Sequence, residues 1–429
     1  MFPIVRMPIM IRHPPFNRER KPLLPAAYRA RWLFPVDAPP IADGILEIDA
    51  AGRIAAISET SNREAIDLGH VAMVPGLVNA HAHLEFSDLA APVAPARPFP
   101  EWIKKVVAIR RSRTAPIEDI IGRGISDVRR GGTTAVGEIA TYAVENYPHR
   151  ADSVQLCLFQ EIIGPRSENW PNLLAMAETH FTQCTDISNI IGGLSPHAPY
   201  TVPQELFEQI VALAARHCAP AAVHLAESES ERSLLSAGRG ELVEMMRGLG
   251  LWDESLHPPG RSFSDWIGLL TSCPRGLIIH GNYLNDEELG LLAGQENLTL
   301  VYCPRTHAYF AHPPHPFRRL LDRGGRVALG TDGRSSNPDL SLWAEATFVA
   351  RRNPGLPSDT ILGMITRSSA EALGIADRAG TLAVGRDANF LVADVEEIAR
   401  RPVLFRSGRE PSRVFHRGVE LSRQELDGA

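Results

Sequence analysis

From residue 77 onward, short apolar runs recur along the chain. Each ends on polar residues and gives way to a helical or irregular stretch. Eight runs can be picked out: LVNAHAHL (77–84), TTAVGEIA (133–140), VQLCLFQEIIG (154–164), NIIGGLSPHAP (189–199), PAAVHLAES (220–228), GLIIHGNYL (276–284), LTLVYCPRT (298–306) and RVALGTDGR (326–334). Runs of this length between helical patterns such as QELFEQIVALAARHC and DEELGLLAG read as buried strands of a parallel sheet. Eight βα units predict a (β/α)8 TIM-like barrel over residues 76–377. The flanks differ. YRARWLFPVD, GILEIDAAGRIAAISE and HVAMVPG near one end, and GTLAVGRDANFLVADVE and PSRVFHRGVELS near the other, alternate apolar and polar residues around turns. They predict a small β-sandwich composed of residues 22–75 and 378–429.

In a barrel of this kind, chemistry sits at the C-terminal ends of the strands. His83, Glu138, Glu161, His197, His224, His280 and Asp332 all fall there. His81 and His83 are one residue apart in a strand, so their side chains share a face and can serve one metal ion. His224, His280 and Asp332 each close a separate apolar run. One ligand per strand is what a metal site at a barrel mouth requires.

Composition narrows the reading. The 429 residues carry a net charge of −6, 44% hydrophobic and 22% charged residues. This is ordinary for a globular chain, and no basic stripe marks a nucleic-acid partner. The five cysteines are scattered without a CxxC pair, which predicts a reducing, cytoplasmic setting. No apolar run approaches the ~20 residues of a membrane span. Residues 1–21, MFPIVRMPIMIRHPPFNRERK, share no pattern with the rest of the chain; arginine and proline interrupt any signal-peptide core. They read as an N-terminal extension, disordered or begun at a start codon placed too early. Only three lysines occur, Lys21, Lys104 and Lys105, against 41 arginines.

The motifs PGLVNAHAHLEFS, SPHAPYT, HLAES, IIHGNYL, CPRTHAYF and ALGTDGRSSNPDLS, closed by AGTLAVGRDANFLV, follow one another at the right strand ends. Over residues 28–425 the chain resembles the amidohydrolase superfamily, in the branch of cytosine, guanine, adenosine and S-adenosylhomocysteine deaminases and triazine hydrolases. The resemblance implies His81, His83, His224 and Asp332 as ligands of one divalent metal ion, zinc or in some relatives iron. It makes Glu227 of HLAE the proton carrier to the ring, His280 the residue that orients the attacking water, and Asp332 a proton acceptor as well. Binuclear relatives bridge two ions with a carbamylated lysine on strand four, and no lysine exists beyond Lys105. Glu161 could bridge instead; one metal is the expectation. His197 resembles a substrate-contacting residue of purine-type deaminases. Glu101 and Trp102 lie where relatives contact a ribose or close a lid. Arg305 and His307, which depart from the commoner CPxSN form, are expected to line the rim; Arg166 either pairs with an acidic substrate group or is a surface cation. The implied reaction is hydrolytic deamination of an amino-substituted heteroaromatic ring. The expected substrate is an adenine-type nucleoside: adenosine, S-adenosylhomocysteine, methylthioadenosine or, slightly favoured, aminodeoxyfutalosine. The alternatives are a free base such as guanine or cytosine, a chlorotriazine, or a cyclic amide. Some superfamily members have lost their ligands and serve as assembly scaffolds; here every ligand position is filled. Dimerisation is common among relatives, and a homodimer is compatible with the chain.

Overall fold

The computed structural model describes residues 26–149, 154–422 and 426; the extension over residues 1–21 lies outside them. The eight apolar runs are eight parallel strands: β1 (Leu77–His83), β2 (Thr133–Ala140), β3 (Gln155–Ile162), β4 (Ile190–Pro196), β5 (Ala221–Leu225), β6 (Gly276–His280), β7 (Leu298–Tyr302) and β8 (Val327–Leu329, resuming at Asp332–Gly333). They hydrogen-bond in sequence order. The second segment of β8 pairs with β1 through Asp332 and Ala82, and this closes the barrel. The expected TIM-like barrel is therefore present.

Alternate residues of the strands fill the interior: Val78, Ala135, Cys157, Ala222, Leu277, Val301 and Ala328 pack together, with Ala370, Leu373 and Ile375 from the last helical turns against them. The opposite faces of the strands and the helices between them form a second, larger apolar layer. Burial on both faces explains why the runs are continuously apolar rather than alternating.

Outside the barrel are two β-sheets. One joins Ile54–Ser58, Ile45–Ile48, Ala26–Arg29 and Ile66–Asp67; the other joins Val419–Glu420, Arg413–His416, Phe390–Asp394, Val71–Pro75, Trp32–Leu33 and Ile41–Ala42. In the second sheet Val71–Pro75 runs antiparallel to Phe390–Asp394, so the two ends of the chain are stitched together. Leu46, Ile48 and Ile54 of the first sheet bury against Phe390 and Phe415 of the second, the two rings stacked at 4.2 Å. This is the small sandwich. Its strand Val71–Pro75 leads through Gly76 straight into β1, which fixes where the first pair of histidines emerges.

The break in β8 places its two halves against β1. A Cβ at Gly330 would lie 2.8 Å from the Cβ of His81 and 2.9 Å from its carbonyl oxygen. Only glycine lets the strands approach this closely. Gly330→Ala is expected to push His81 out of place and weaken metal affinity about 10–100-fold, comparable to losing a residue that orients a ligand. Competition with a chromogenic chelator measures this.

Candidate metal centre and active site

His81, His83 and His224 converge above the barrel core. One ring nitrogen from each lies within 4.8 Å of the others. Asp332 Oδ1 sits 3.6 Å from His81 Nε2 and 3.6 Å from His83 Nε2. The second oxygen, Oδ2, accepts a hydrogen bond from Ser336 Oγ at 2.7 Å. His224 Nδ1 donates to the carbonyl of His197 at 3.1 Å. That bond leaves the Nε2 lone pair free to face the cluster, as is usual for a metal-bound histidine. Both ring nitrogens of His81 and Nδ1 of His83 are buried with no hydrogen-bond partner. Buried imidazole nitrogens are normally satisfied, and a cation between them would meet that need. Three imidazoles and a carboxylate suit a divalent ion of the zinc kind, so the residues fit the metal that the sequence implies.

The electrostatics agree. Burial, with His81 beside it, holds the His83 ring well below the ordinary histidine range; burial and the surrounding histidines do the same to His224. Both are then neutral, as ligands must be. Burial alone would raise the Asp332 carboxyl, but His81, His83 and His280 around it hold it well below the carboxylate range. Glu227 is shifted the other way. Burial, then the Asp332 and Glu231 charges, push it well above that range. His280 Nε2 is 3.5 Å from Glu227 Oε1, and burial brings its pKa down to about 4. The two carboxyls, Asp332 and Glu227, are thus shifted in opposite directions, which is the pattern of paired acid and base groups.

Backbone geometry positions these groups. Ala226, His280 and Asp332 have φ of 56°, 68° and 58°, a region that residues with a Cβ seldom enter and that clusters at functional sites. Each strained residue is tied down. His315 Nε2 donates to the His280 carbonyl at 2.7 Å. Glu231 accepts from the backbone N–H of Ala226 at 3.2 Å and of Glu227 at 2.9 Å, and Asn282 Nδ2 donates to the Glu227 carbonyl at 3.0 Å. Asn79 and Thr331 are linked side chain to side chain at 2.8 Å beneath the break in β8.

Several of these residues escape the sequence reading. Glu231 looks like one more acid in ESESE, yet it is fully buried and shapes the loop that carries Glu227. Its spacing from Ser228, an N-cap three residues before it, was the available signal. Glu85, directly after the ligand strand, is also buried. It takes Arg110 Nε and Nη2 at 3.0 and 2.6 Å, Thr141 Oγ1 at 2.9 Å and the carbonyl-bound Arg113 at 3.4 Å. Nothing in the pattern of LEFS distinguishes it.

Two expectations need correction, those for Glu101 and Arg305. Glu101 does not face the mouth: on the helix Phe99–Ser112 it stands nine residues, about two and a half turns, from the inward Arg110, and it is half exposed in an ion pair with Lys104 at 2.7 Å. Arg305 does not offer a free cation at the rim. Its guanidinium is bound to Glu345 Oε1 at 2.6 Å and to Asp339 at 2.7 and 3.0 Å. Arg166 takes the second of its two readings, an exposed surface cation bonded to the Gly250 carbonyl at 3.1 Å. Glu138 is buried beneath the turn after β1 and accepts the Leu84 N–H at 3.0 Å, so it braces that turn. Trp102 stays with the mouth, stacked on Phe99 at 5.8 Å and edge-on to Phe310 at 5.0 Å, with its Nε1 donating to Ser335 O at 3.3 Å. His307 is buried, and its Nε2 donates to the Pro313 carbonyl at 2.8 Å. His197 packs beside His224 with ring centroids 5.2 Å apart, its Nδ1 sharing a hydrogen with Thr201 Oγ1 at 2.7 Å.

The model of the amidohydrolase family matches residues 72–421. The chain belongs to the amidohydrolase family. Among curated relatives, a 5-methylthioadenosine/S-adenosylhomocysteine deaminase of Syntrophobacter fumaroxidans is 28% identical, covering 82% of this chain and 80% of its own. An aminodeoxyfutalosine deaminase of Nitratiruptor sp. is 25% identical, covering 82% and 87%. Among solved structures, an adenosine deaminase from Xanthomonas campestris with bound zinc superimposes with a TM-score of 0.71 at 24% identity, covering 94% and 93%; that likeness concerns the fold. As an amidohydrolase whose three histidines and aspartate converge, the chain is built to hold a divalent metal. Among the described residues no helix is long and apolar enough to cross a membrane.

Proposed function

We propose that this amidohydrolase is a hydrolytic deaminase of adenine-type nucleosides, working with a single zinc ion held by His81, His83, His224 and Asp332. The observation that carries the reading is geometric: His81, His83 and His224 converge with Asp332, whose Oδ1 is 3.6 Å from both His81 and His83, while His280 Nε2 stands 3.5 Å from Glu227 Oε1. When bound, the metal lowers the pKa of a water from ~15.7 towards ~7 and stabilises charge on the attacked centre. Asp332, ionised, takes the proton of the attacking water. Neutral His280 orients that water through Nε2. Glu227 gives its proton to the ring nitrogen next to the attacked carbon, so that the ring does not accumulate negative charge. The amine then leaves as ammonia on taking the water's first proton from Asp332, and the hydroxyl's proton, released as the carbonyl forms, restores Glu227. Trp102, Phe99 and Phe310 form an aromatic cover that keeps bulk water from the ring. The curated relatives named for adenine nucleosides support the choice of substrate class over free bases and chlorotriazines.

Ammonia release from the zinc-loaded protein tests this, against adenosine, 5′-deoxyadenosine, methylthioadenosine, S-adenosylhomocysteine, aminodeoxyfutalosine, guanine, cytosine and melamine-type triazines. Turnover of one or more adenine nucleosides with about one metal per chain is the expected result. Ammonia only from a free base or a triazine would overturn the substrate class, and metal-loaded protein that releases none would overturn the deaminase reading.

A further inference from the structure

Glu161 has no role in the proposed mechanism. It closes β3, is nine-tenths buried, and its carboxylate has neither a hydrogen bond nor an ion pair among the described residues. Arg110 is the cation that acts on it, from beyond ion-pair distance, because Nε and Nη2 of Arg110 are taken by Glu85. A carboxylate oxygen of Glu161 lies within 4.8 Å of ring nitrogens of both His197 and His224. Burial pushes its carboxyl up to about 7, and its unpartnered oxygens are not enclosed by protein, so they are open to a partner from outside.

A second metal ion is a poor partner. Its ligand set would be Glu161, His197 and His224. His224 has already given Nδ1 to the His197 carbonyl, and its single remaining lone pair faces His81 and His83. One imidazole nitrogen binds one ion, so only two protein ligands would remain, fewer than a zinc site uses.

The barrel order supplies the alternative. His224 ends β5. Glu227 and His280 lie on its β6 side, whereas His197 and Glu161 end β4 and β3 on the other. A ring bound over the triad has one edge at Glu227 and the other at Glu161. The leaving amine is attached to the reacting carbon itself, so whatever recognises it must stand beside the triad, and it offers N–H donors to an acceptor. We propose that Glu161 accepts a hydrogen bond from the exocyclic amine of the substrate and selects an amino leaving group over chloride or alkoxide. This inference rests on the deaminase reading. A site built around an N–H donor rejects analogues that lack it, because its own buried group is left unpaired.

The test uses a ligand pair that cannot be turned over: 1-deazaadenosine, which keeps the amine but lacks the ring nitrogen that Glu227 protonates, and 1-deazapurine riboside, which lacks the amine as well. Both are run as competitive inhibitors of adenine nucleoside deamination by the zinc-loaded wild type, Glu161→Gln and Glu161→Leu, with metal content measured on each. The wild type is expected to prefer the amine-bearing analogue about 10–100-fold. Glu161→Leu should bring the ratio to about one and lower kcat/KM for the nucleoside about 100-fold, at unchanged metal content. Glu161→Gln, whose amide oxygen still accepts, should keep most of the preference. A wild type indifferent to the amine, or a ratio that survives in the leucine variant, would overturn the role of Glu161 while leaving deamination intact. Two metals in the wild type falling to one in the variants would make Glu161 a ligand instead. A wild type that deaminates no adenine nucleoside removes the reading beneath and this inference with it.

Discussion

Glu227→Gln is expected to lower kcat by about 10²–10⁴, the range that a positioned general acid supplies, with metal content and melting temperature close to those of the wild type. Glutamine fills the same space and keeps the backbone bonds to Glu231 and Asn282, which involve the main chain of residue 227 rather than its side chain. It cannot give up a proton to the ring. His81, His83, His224 and Asp332 keep their places, so KM should change less than kcat. Asp332→Asn serves as the contrast: it removes a ligand as well as the proton acceptor, and metal and activity should fall together. Steady-state kinetics paired with metal analysis reads both. Near-normal turnover by Glu227→Gln would remove Glu227 from the chemistry.

The ligand strand and the strand-end residues were legible because each rests on a local rule. Two histidines at i and i+2 share a face in any strand, and a polar residue ending a doubly buried strand has few reasons to be there. The barrel and the sandwich followed from periodicity alone. What was not legible depends on contacts between distant segments. Arg305 and Glu345 are 40 residues apart, Asn79 and Thr331 are 252 apart, and Glu85 meets Arg110 only because a helix folds back over the mouth. Glu101 failed for a different reason. Its helix was foreseen only as a position after β1, and which face of a helix turns inward is settled by the packing of Phe99 and Ile103, not by a two-residue motif. For Glu161 the sequence offered only a metal-bridging role, and its lack of a protein partner is visible only in three dimensions.

Arg305→Met is expected to destabilise the fold by about 3–5 kcal/mol, the cost of removing one partner from a buried ion pair, and to depress turnover of every substrate by a similar factor. Glu345 is fully buried. Its Oε1 takes Arg305 Nε at 2.6 Å and Asn337 Nδ2 at 2.6 Å, and Oε2 takes the Arg305 backbone N–H at 2.9 Å. Without the guanidinium that carboxylate keeps only neutral donors. Arg305 also pins Asp339 and the Ser341 carbonyl, while Asn337 holds the Thr331 carbonyl next to Asp332. The ion pair therefore braces the loop that delivers Asp332, the aspartate proposed to bind the metal. A rim residue that reads substrate would behave differently: its loss would alter the ranking of substrates and leave the melting temperature near that of the wild type. The double variant Arg305→Met, Glu345→Leu separates the two further. Replacing both charges with apolar side chains removes the orphaned carboxylate and should recover much of the lost stability, while a lost substrate contact would stay lost. Denaturant midpoints of the two variants, read beside the ratio of kcat/KM for two nucleosides, decide between a brace and a contact.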